Sequence, residues 1–217
     1  MTPERYARIL RVLDRRQPDL TVLMERVGKS HNFSAILRNC DAVGVLEAHV
    51  VPPEAGLDLH RASSAGTNKW VRVRRHGTLA DALGVLEGDG FSVLAAHPGD
   101  GAVDYREWDF TEPTCLLMGT ELHGLSEEAR ASVDRLVSIP MVGMARSLNV
   151  SVAASLLLFE AFRQRSAAGL YDAPRLSPEL RARLAFEWAY PRLAGDCGAR
   201  GAPYPVLDGE GQIVQDS

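Results

Sequence analysis

The fold is decided by residues 114–165, which read TCLLMGTELHGLSEEARASVDRLVSIPMVGMARSLNVSVAASLLLFEAFRQR. Short apolar runs at 114–119 and 136–140 predict two buried strands. Apolar positions recurring every three to four residues predict a long helix at 149–165, and Ser126 is a plausible cap for a shorter helix at 126–133. Strands that alternate with helices imply a parallel sheet covered by helices on both faces.

The same alternation continues upstream of this stretch. Short β-branched or apolar runs predict further strands at 19–27, 48–52, 70–73 and 91–96. Helical periodicity, closed by Gly44 and Gly90, predicts helices at 31–44 and 78–90. The predicted fold class is therefore α/β, a parallel sheet flanked by helices.

The two ends of the chain differ from this central pattern. Residues 5–16 predict a helix with one apolar arc and one basic side, formed by Arg5, Arg8, Arg11 and Arg15. After Ala168, Pro, Gly and Arg accumulate, and a helix is predicted at 177–190 before an extended end. We therefore predict a basic helical extension at 1–18, one α/β domain at 19–167 and a helical tail at 168–217.

Composition sets limits on partners and location. The 217 residues carry a formal charge of −4, which argues against a nucleic-acid-binding protein. However, residues 60–76 hold Arg61, Lys69, Arg72, Arg74 and Arg75 without one acid, a local charge of +5 that suits phosphate contacts. Other basic candidates for RNA contact are the arginine side of the first helix with Arg16, and Arg163 and Arg165 after the long helix.

Cysteine and hydropathy patterns point to a reducing compartment. Cys40, Cys115 and Cys197 are widely spaced, so neither a disulfide framework nor a metal site is expected. The longest apolar run, at 152–159, is far shorter than the ~20 residues of a membrane helix. The charged N-terminus does not resemble a secretory signal, and a cytoplasmic location is expected.

Polar residues cluster in three segments at predicted strand ends, where α/β sheets bind ligands. They are HNFSAILRN at 31–39, LLMGTELHGLSEE at 116–128 and IPMVGMARSLNVSVAAS at 139–155. Their amide, hydroxyl and guanidinium groups suit an oxygen-rich anionic ligand. Taken alone, each segment is also typical of a helix cap or a solvated turn. The chain has no G-x-G-x-x-G dinucleotide fingerprint, and no G-x-S-x-G elbow surrounds Ser147.

Taken together, the segments at 32–44, 116–129 and 139–161 resemble the three motifs of the TrmH family, ribose 2′-O-methyltransferases of the SPOUT superfamily. The likeness extends into the opening RYARILRVLDRRQPDL and the closing APYP segment. It implies methyl transfer from S-adenosylmethionine to the 2′-hydroxyl of guanosine 18 in the tRNA D-loop. It also implies a C-terminal trefoil knot in the sheet domain, and a homodimer in which Arg38 is delivered across the interface.

The resemblance further implies which residues act. Arg38 would bind the adjacent phosphate and stabilise the developing alkoxide, and Asn32 would orient either Arg38 or the ribose. Glu121 would anchor the second loop, and Ser147 and Asn149 would fix the third. The implied cofactor-binding residues are Ala96, His97, Met118, Gly119, Glu121, Gly124, Ile139, Met141, Leu148 and Asn149. At Ala96 a backbone contact with the cofactor is expected.

Three other interpretations remain. The same chemistry on ribosomal RNA or on the tRNA wobble ribose is the nearest one, although the basic first helix and the long tail favour the guanosine 18 enzyme. A noncatalytic RNA-binding protein would not need Asn32, Arg38, Glu121, Ser147 and Asn149 together. A nucleotide-dependent oxidoreductase would need the missing glycine fingerprint.

Overall fold

The computed structural model describes residues 1–54, 69–97, 101–120, 124–145 and 147–214. Contacts divide the chain into two compact units, one of residues 18–170 and one that combines residues 1–17 with 171–217. The two terminal extensions, which the sequence suggests as separate appendages, thus fold together. Among the described residues, no helix is long and apolar enough to cross a membrane.

Seven helices and seven strands form the secondary structure of the described residues. The helices are α1 (Pro3–Leu13), α2 (Ser30–Ala42), α3 (Leu79–Gly88), α4 (Glu127–Ala131), α5 (Val150–Ala167), α6 (Pro178–Ala189) and α7 (Pro191–Arg200). The strands are β1 (Leu20–Glu25), β2 (Glu47–Val51), β3 (Arg72–Arg75), β4 (Ser92–Ala96), β5 (Val103–Asp104), β6 (Thr114–Met118) and β7 (Arg135–Ser138). The 3₁₀ turn Tyr105–Glu107 follows β5.

All seven strands form one sheet in the order β3-β2-β1-β6-β4-β7-β5, and every pairing is parallel. The predicted parallel sheet is confirmed. Strand β5 was not predicted because two residues carry no periodic signal, and β3 begins two residues later than the sequence suggests.

Helices cover both faces of the sheet, as predicted. On one face, α2 and α5 contribute Phe33, Ile36, Leu37, Leu157 and Leu158 to a buried apolar cluster. On the other face, α3 and α4 contribute Leu79, Ala82, Leu86 and Ala129 to a second cluster. Local signals place the helix starts: Thr78 forms a capping box with Asp81, and Ser126 Oγ accepts a hydrogen bond from Ala129 N at 3.0 Å.

The topology brings the three polar segments to one edge of the sheet. Because the strands are parallel, their carboxyl ends all lie at the same edge. Strands β1, β6, β4 and β7 are consecutive neighbours there. The segments that follow them, which include the three candidate motifs, therefore emerge side by side.

The terminal unit differs most from the sequence prediction. Tyr6, Ile9 and Leu13 of α1 are buried, in agreement with the predicted apolar arc. Helix α7 was not predicted, because Gly195 and Gly198 lower helix propensity. The tail predicted to be extended turns back on itself, with Leu207 and Ile213 forming an antiparallel bridge.

Cys40, Cys115 and Cys197 are free and buried. Within the part of the chain that the structure describes, no three His, Cys, Asp or Glu side chains cluster in a way that could hold a metal ion.

Candidate active site at the carboxyl edge of the sheet

A hydrogen-bond network joins the first motif to the third. Asn32 lies in the first turn of α2 and is 1% exposed. Its Oδ1 accepts from Asn149 Nδ2 at 3.2 Å, and Ser151 Oγ lies 3.5 Å away. Asn149 is the N-cap of α5, and its own Oδ1 accepts from Ser151 N at 2.8 Å and from Ser151 Oγ at 2.6 Å. The polar head of α5 is thereby fixed to the buried start of α2.

Ser151 was not among the predicted site residues. It bonds to Asn149 and Asn32, and its backbone carbonyl accepts from Asn39 Nδ2 at 3.4 Å. The signal that could have found it is the Asn-x-Ser pattern at the start of an apolar helix, because side chains at such positions cap free N–H groups. Asn149 is therefore an ordinary helix cap and also a member of the candidate site.

The second motif begins at the end of β6, and backbone hydrogen bonds join Thr120 to Gly124. Thr120 N donates to Gly124 O at 2.8 Å, and Gly124 N donates back to Thr120 O at 3.0 Å. A Cβ on Gly119 would lie 2.3 Å from Gly124 O, so no larger residue fits there without a backbone shift. Gly124 has a φ of +66°, in the left-handed region that favours glycine. The loop therefore needs both glycines.

A cleft lies where β4 and β7 end and α5 begins. Its lining residues are Ala96, His97, Val137, Ile139, Met141, Ser147, Leu148 and Ala153. The predicted cofactor residues Ala96, His97, Ile139, Met141 and Leu148 thus line one space, whereas Val137 and Ala153 were not predicted. Met118, Gly119 and Gly124 lie beside it, at the end of the adjacent strand β6. A mainly apolar wall with a few polar groups is typical of small-molecule sites.

Arg38 lies on the outer side of α2. Its side chain is exposed, while Phe33, Ile36, Leu37 and Cys40 of the same helix are buried. No hydrogen bond or ion pair of Arg38 is found among the residues that the structure describes. Its guanidinium is available to an anionic ligand such as a phosphate. Glu121, the other predicted charged residue of the site, lies outside the described residues.

Most of the predicted RNA-contact cations are at the surface. Arg8 and Arg11 are exposed on α1, Arg15 is exposed in the turn after it, and Lys69 is exposed just before β3. The helix thus ends before Arg15, which the sequence places on it. Arg72 is exposed on β3 and lies 3.6 Å from Glu47. Arg163 is also exposed, with two hydrogen bonds to Glu160 at 2.9 and 2.7 Å. Arg61 lies outside the described residues.

The prediction was wrong for Arg16 and Arg165, since both are fully buried and unable to reach RNA. Arg165 Nη1 donates to Asp19 Oδ1 at 2.6 Å, and its other N–H groups reach the backbone carbonyls of Asp19, Phe110 and Glu112. In the terminal unit, the Arg16 guanidinium lies 5.2 Å from the centre of the Trp188 ring. Both arginines are part of the packing.

Comparisons with known proteins agree with this geometry. The family model described as "SpoU rRNA Methylase family" matches residues 19–159, and "SpoU, rRNA methylase, C-terminal" matches 163–216. A tRNA (guanosine(18)-2′-O)-methyltransferase of Escherichia coli K12 is 50% identical over 219 residues, covering 100% of this chain and 96% of the relative. The protein of the same name from Thermus thermophilus is 54% identical over 187 residues, covering 86% and 96%.

Solved structures extend the similarity to the fold. The Aquifex aeolicus TrmH/SpoU tRNA modifying enzyme superposes with a TM-score of 0.80 at 40% identity, covering 87% of this chain and 96% of that one. The SpoU methyltransferase AviRb from Streptomyces viridochromogenes, in complex with the cofactor AdoMet, gives 0.62 at 30% identity, with coverage of 71% and 62%. The chain therefore belongs to the SpoU methylase family, the TrmH family of the SPOUT superfamily.

Proposed function

We propose that this protein methylates the ribose 2′-hydroxyl of guanosine 18 in tRNA, with S-adenosylmethionine as the methyl donor. The observation that carries the proposal is the 50% identity to a relative named for this reaction, which spans the whole chain and so includes the terminal unit. A cytoplasmic location fits such a tRNA-modifying enzyme.

The residues at the carboxyl edge of the sheet fit S-adenosylmethionine. The apolar side chains of the cleft suit the adenine ring. Because Gly119 has no Cβ, the backbone of Gly124 can approach it closely at the end of β6. We assign Ala96, His97, Met118, Gly119, Glu121, Gly124, Ile139, Met141, Leu148 and Asn149 to the cofactor. When bound, S-adenosylmethionine supplies an electrophilic methyl group on a sulfonium centre.

In the proposed reaction, this chain's residues prepare the ribose hydroxyl. A hydroxyl becomes a good nucleophile only as it loses its proton, so the stabilisation of negative charge on that oxygen lowers the barrier. Arg38 suits this role because a guanidinium keeps its proton and can bind an adjacent phosphate at the same time. In this mechanism Asn32 and Asn149 fix α2 against α5. Ser147 holds the third loop in place, and Glu121 holds the second.

We further propose that the protein is a homodimer and that Arg38 completes the site of the other protomer. The support is an apolar stripe on α5, where Val152, Leu156, Phe159 and Phe162 are 38–47% exposed at helical spacing. In the third motif, Val142 and Met144 are fully exposed as well. A row of exposed apolar side chains on one helix face, with further exposed apolar residues in the third motif, is typical of protein interfaces. Sedimentation should give twice the monomer mass of 23.6 kDa.

Two finer features belong to the same proposal. We propose a trefoil knot in the C-terminal part of the sheet domain, supported by a strand order in which β6 lies between β1 and β4 while β7 lies beyond β4. We also propose that tRNA contacts Arg8 and Arg11 of α1, Arg15 in the turn after it, Lys69 and Arg72 near β3, Arg163, and Arg61.

The experiment that tests the function uses unmodified tRNA and S-adenosylmethionine labelled in its methyl group. The expected result is one labelled ribose per tRNA, mapped to guanosine 18 by nuclease digestion and mass spectrometry. A tRNA with guanosine 18 replaced by adenosine is the matched substrate control and should stay unlabelled. Label at the wobble ribose would overturn the assignment, and so would unlabelled tRNA in a reaction where ribosomal RNA, supplied in parallel, becomes labelled.

The site assignment is tested by Arg38→Ala. Because Arg38 is exposed and its removal leaves the core intact, we expect the loss of at least 100-fold in methylation rate while cofactor affinity by calorimetry changes less than about twofold. Arg106→Ala, at another exposed arginine of the same unit that has no proposed contact with tRNA or cofactor, is the control and should keep most of the activity. An active Arg38→Ala protein would contradict the proposed role.

A further inference from the structure

Glu25 is a buried carboxylate at the edge of the sheet that carries the site. It is the last residue of β1, and its side chain is only 3% exposed. An ionised carboxylate is rarely buried unless a donor compensates it. The motif resemblance assigns no role to this residue.

Glu25 contacts a residue of the second motif. Its Oε2 accepts from the backbone N–H of Ser126 at 3.5 Å. No other hydrogen bond or ion pair of Glu25 is found within the described residues. Ser126 is the N-cap of α4 and the residue at which the second loop ends.

The sheet register explains why these groups meet. Met24 of β1 pairs with Met118 of β6, so Glu25 lies level with Gly119, where the second loop begins. Leu23, two residues earlier on the same side of β1, packs with Leu125 and Ala129 beneath α4. Glu25 therefore faces α4 and holds the end of the loop that starts beside it.

We infer that Glu25 is a positioning residue for cofactor binding: its carboxylate fixes Ser126 and so holds the end of the second loop, Gly124 to Ser126, beside Gly119, where the loop begins. The loop is held at two points. Thr120 and Gly124 bond to each other across it, and Glu25 bonds where it ends. The inference rests on the proposed function, because that function assigns the cofactor to this loop.

The first test compares Glu25→Ala with Glu25→Gln, which keeps an acceptor oxygen of similar reach. We expect Glu25→Ala to raise KM for S-adenosylmethionine by about tenfold with kcat within twofold, and Glu25→Gln to restore most of the affinity. A Glu25→Gln protein with kcat lost as fully as in Arg38→Ala would indicate a proton-transfer role and overturn the inference. Wild-type affinity in Glu25→Ala would overturn it as well.

The second test removes the donor instead of the acceptor. Ser126→Pro lacks the N–H, and the φ of −63° at this position accepts proline, whereas Ser126→Ala loses only the hydroxyl cap. We expect the proline variant to raise KM about as much as Glu25→Ala, and the alanine variant to raise it less. Equal effects of the two serine variants would contradict the inference. This pair remains informative if Glu25→Ala fails to fold.

A third measurement needs no cofactor. Amide hydrogen exchange over residues 119–126 should be faster in Glu25→Ala than in wild type, and near wild type in Glu25→Gln. Unchanged exchange in Glu25→Ala would overturn the inference. If the wild-type protein binds no S-adenosylmethionine in the same calorimeter, the proposed function fails and this inference fails with it. Binding by wild type and by Glu25→Ala alike defeats the inference alone.

Discussion

Helix α5 reaches both edges of the parallel sheet, with Asn149 as its cap at the carboxyl edge and Arg165 in its last turn at the amino edge. With 18 residues from Val150 to Ala167, the helix is about 27 Å long. At the amino edge, Arg165 is fully buried and bonded to the Asp19 carboxylate and three backbone carbonyls. At the carboxyl edge, Ser147, Leu148 and Asn149 are exposed.

The contrast separates stability from function within one helix. A buried guanidinium whose donors all meet acceptors holds the loops before β1 and β6 to the end of α5. Exposed polar groups and closely folded glycines at the opposite edge add little to stability but leave room for ligands. Substitutions at the amino edge should therefore lower the free energy of unfolding, and substitutions at the carboxyl edge should lower binding.

The largest effect is expected for Arg165→Met. The substitution removes a fully buried cation from Asp19, whose side chain is 18% exposed, and takes one donor from each of three carbonyls. The carbonyls of Asp19 and Glu112 keep a second donor, from Thr114 N and Thr114 Oγ1. Breaking such a buried pair typically lowers the free energy of unfolding by about 3–5 kcal/mol. Urea denaturation, followed by circular dichroism, measures the change.

Arg163→Met is the matched control two residues earlier on the same helix. Its ion pair joins an arginine side chain that is 66% exposed to a Glu160 side chain that is 11% exposed, so Arg163 leaves little buried charge behind and the loss should stay below about 1 kcal/mol. Equal destabilisation by the two variants would contradict the contrast between the buried and the exposed arginine.

A smaller effect, on binding, is expected at the carboxyl edge for Gly119→Ala. The new Cβ would lie 2.3 Å from Gly124 O and 2.8 Å from Leu125 N, and these are backbone atoms that cannot rotate away. We expect the loop to shift and the affinity for S-adenosylmethionine to fall by about 10- to 100-fold, equal to about 1.4–2.8 kcal/mol. Isothermal titration calorimetry measures the affinity.

Gly84→Ala in α3 is the control for an added methyl group. A Cβ at Gly84 meets nothing within 4 Å, so cofactor affinity should not change. The unfolding free energy should rise by about 0.5–1 kcal/mol, because alanine favours helix more than glycine does. Wild-type affinity in Gly119→Ala would show that the close approach of the two glycines is not needed for binding.

Much of this architecture could be predicted because its signals are local. Helix starts are marked by the capping residues Thr78 and Ser126. Helix ends are marked by Gly44 and Gly90, which have positive φ. The short apolar runs marked six of the seven strands. The three motifs also followed from sequence, since each occupies a continuous segment after a strand.

What could not be predicted depends on partners that are distant in sequence. Arg165 looks like an exposed basic residue after a helix, and only the fold brings Asp19, 146 residues away, within 2.6 Å. Asn32 and Asn149 are 117 residues apart, and no spacing rule connects them. Helix α7 was missed for a different reason: packing in the terminal unit outweighs the low propensity of its glycines.

A third polar arrangement lies between these two, because its two imidazoles are buried and the nearby carboxylate, Glu47 Oε1 at 3.9 Å from His49 Nε2, is partly exposed. His49 Nδ1 of β2 lies 2.9 Å from His76 Nε2, which follows β3, and both side chains are buried. Burial, together with His76 and Arg74, lowers the pKa of His49 from 6.5 to about 4, while Asp89 opposes the shift. The pKa of His76 is also lowered, by burial and Arg74, against Asp81 and Glu47. Both imidazoles are thus neutral in the folded protein at pH 7.

The sign of the pH effect follows from these pKa values. Between about pH 6.5 and 4, the unfolded chain binds a proton at His49 that the folded protein excludes, so stability falls as the solution is acidified. We expect the free energy of unfolding to fall by on the order of 1 kcal/mol between pH 7 and pH 5. This is less than the loss expected for Arg165→Met, because a buried imidazole can stay neutral whereas a guanidinium keeps its charge. His49→Leu should flatten this part of the pH dependence, whereas His31→Leu, at an exposed histidine, should keep the wild-type slope. An unchanged slope in His49→Leu would mean that the buried pair does not cause the acid sensitivity.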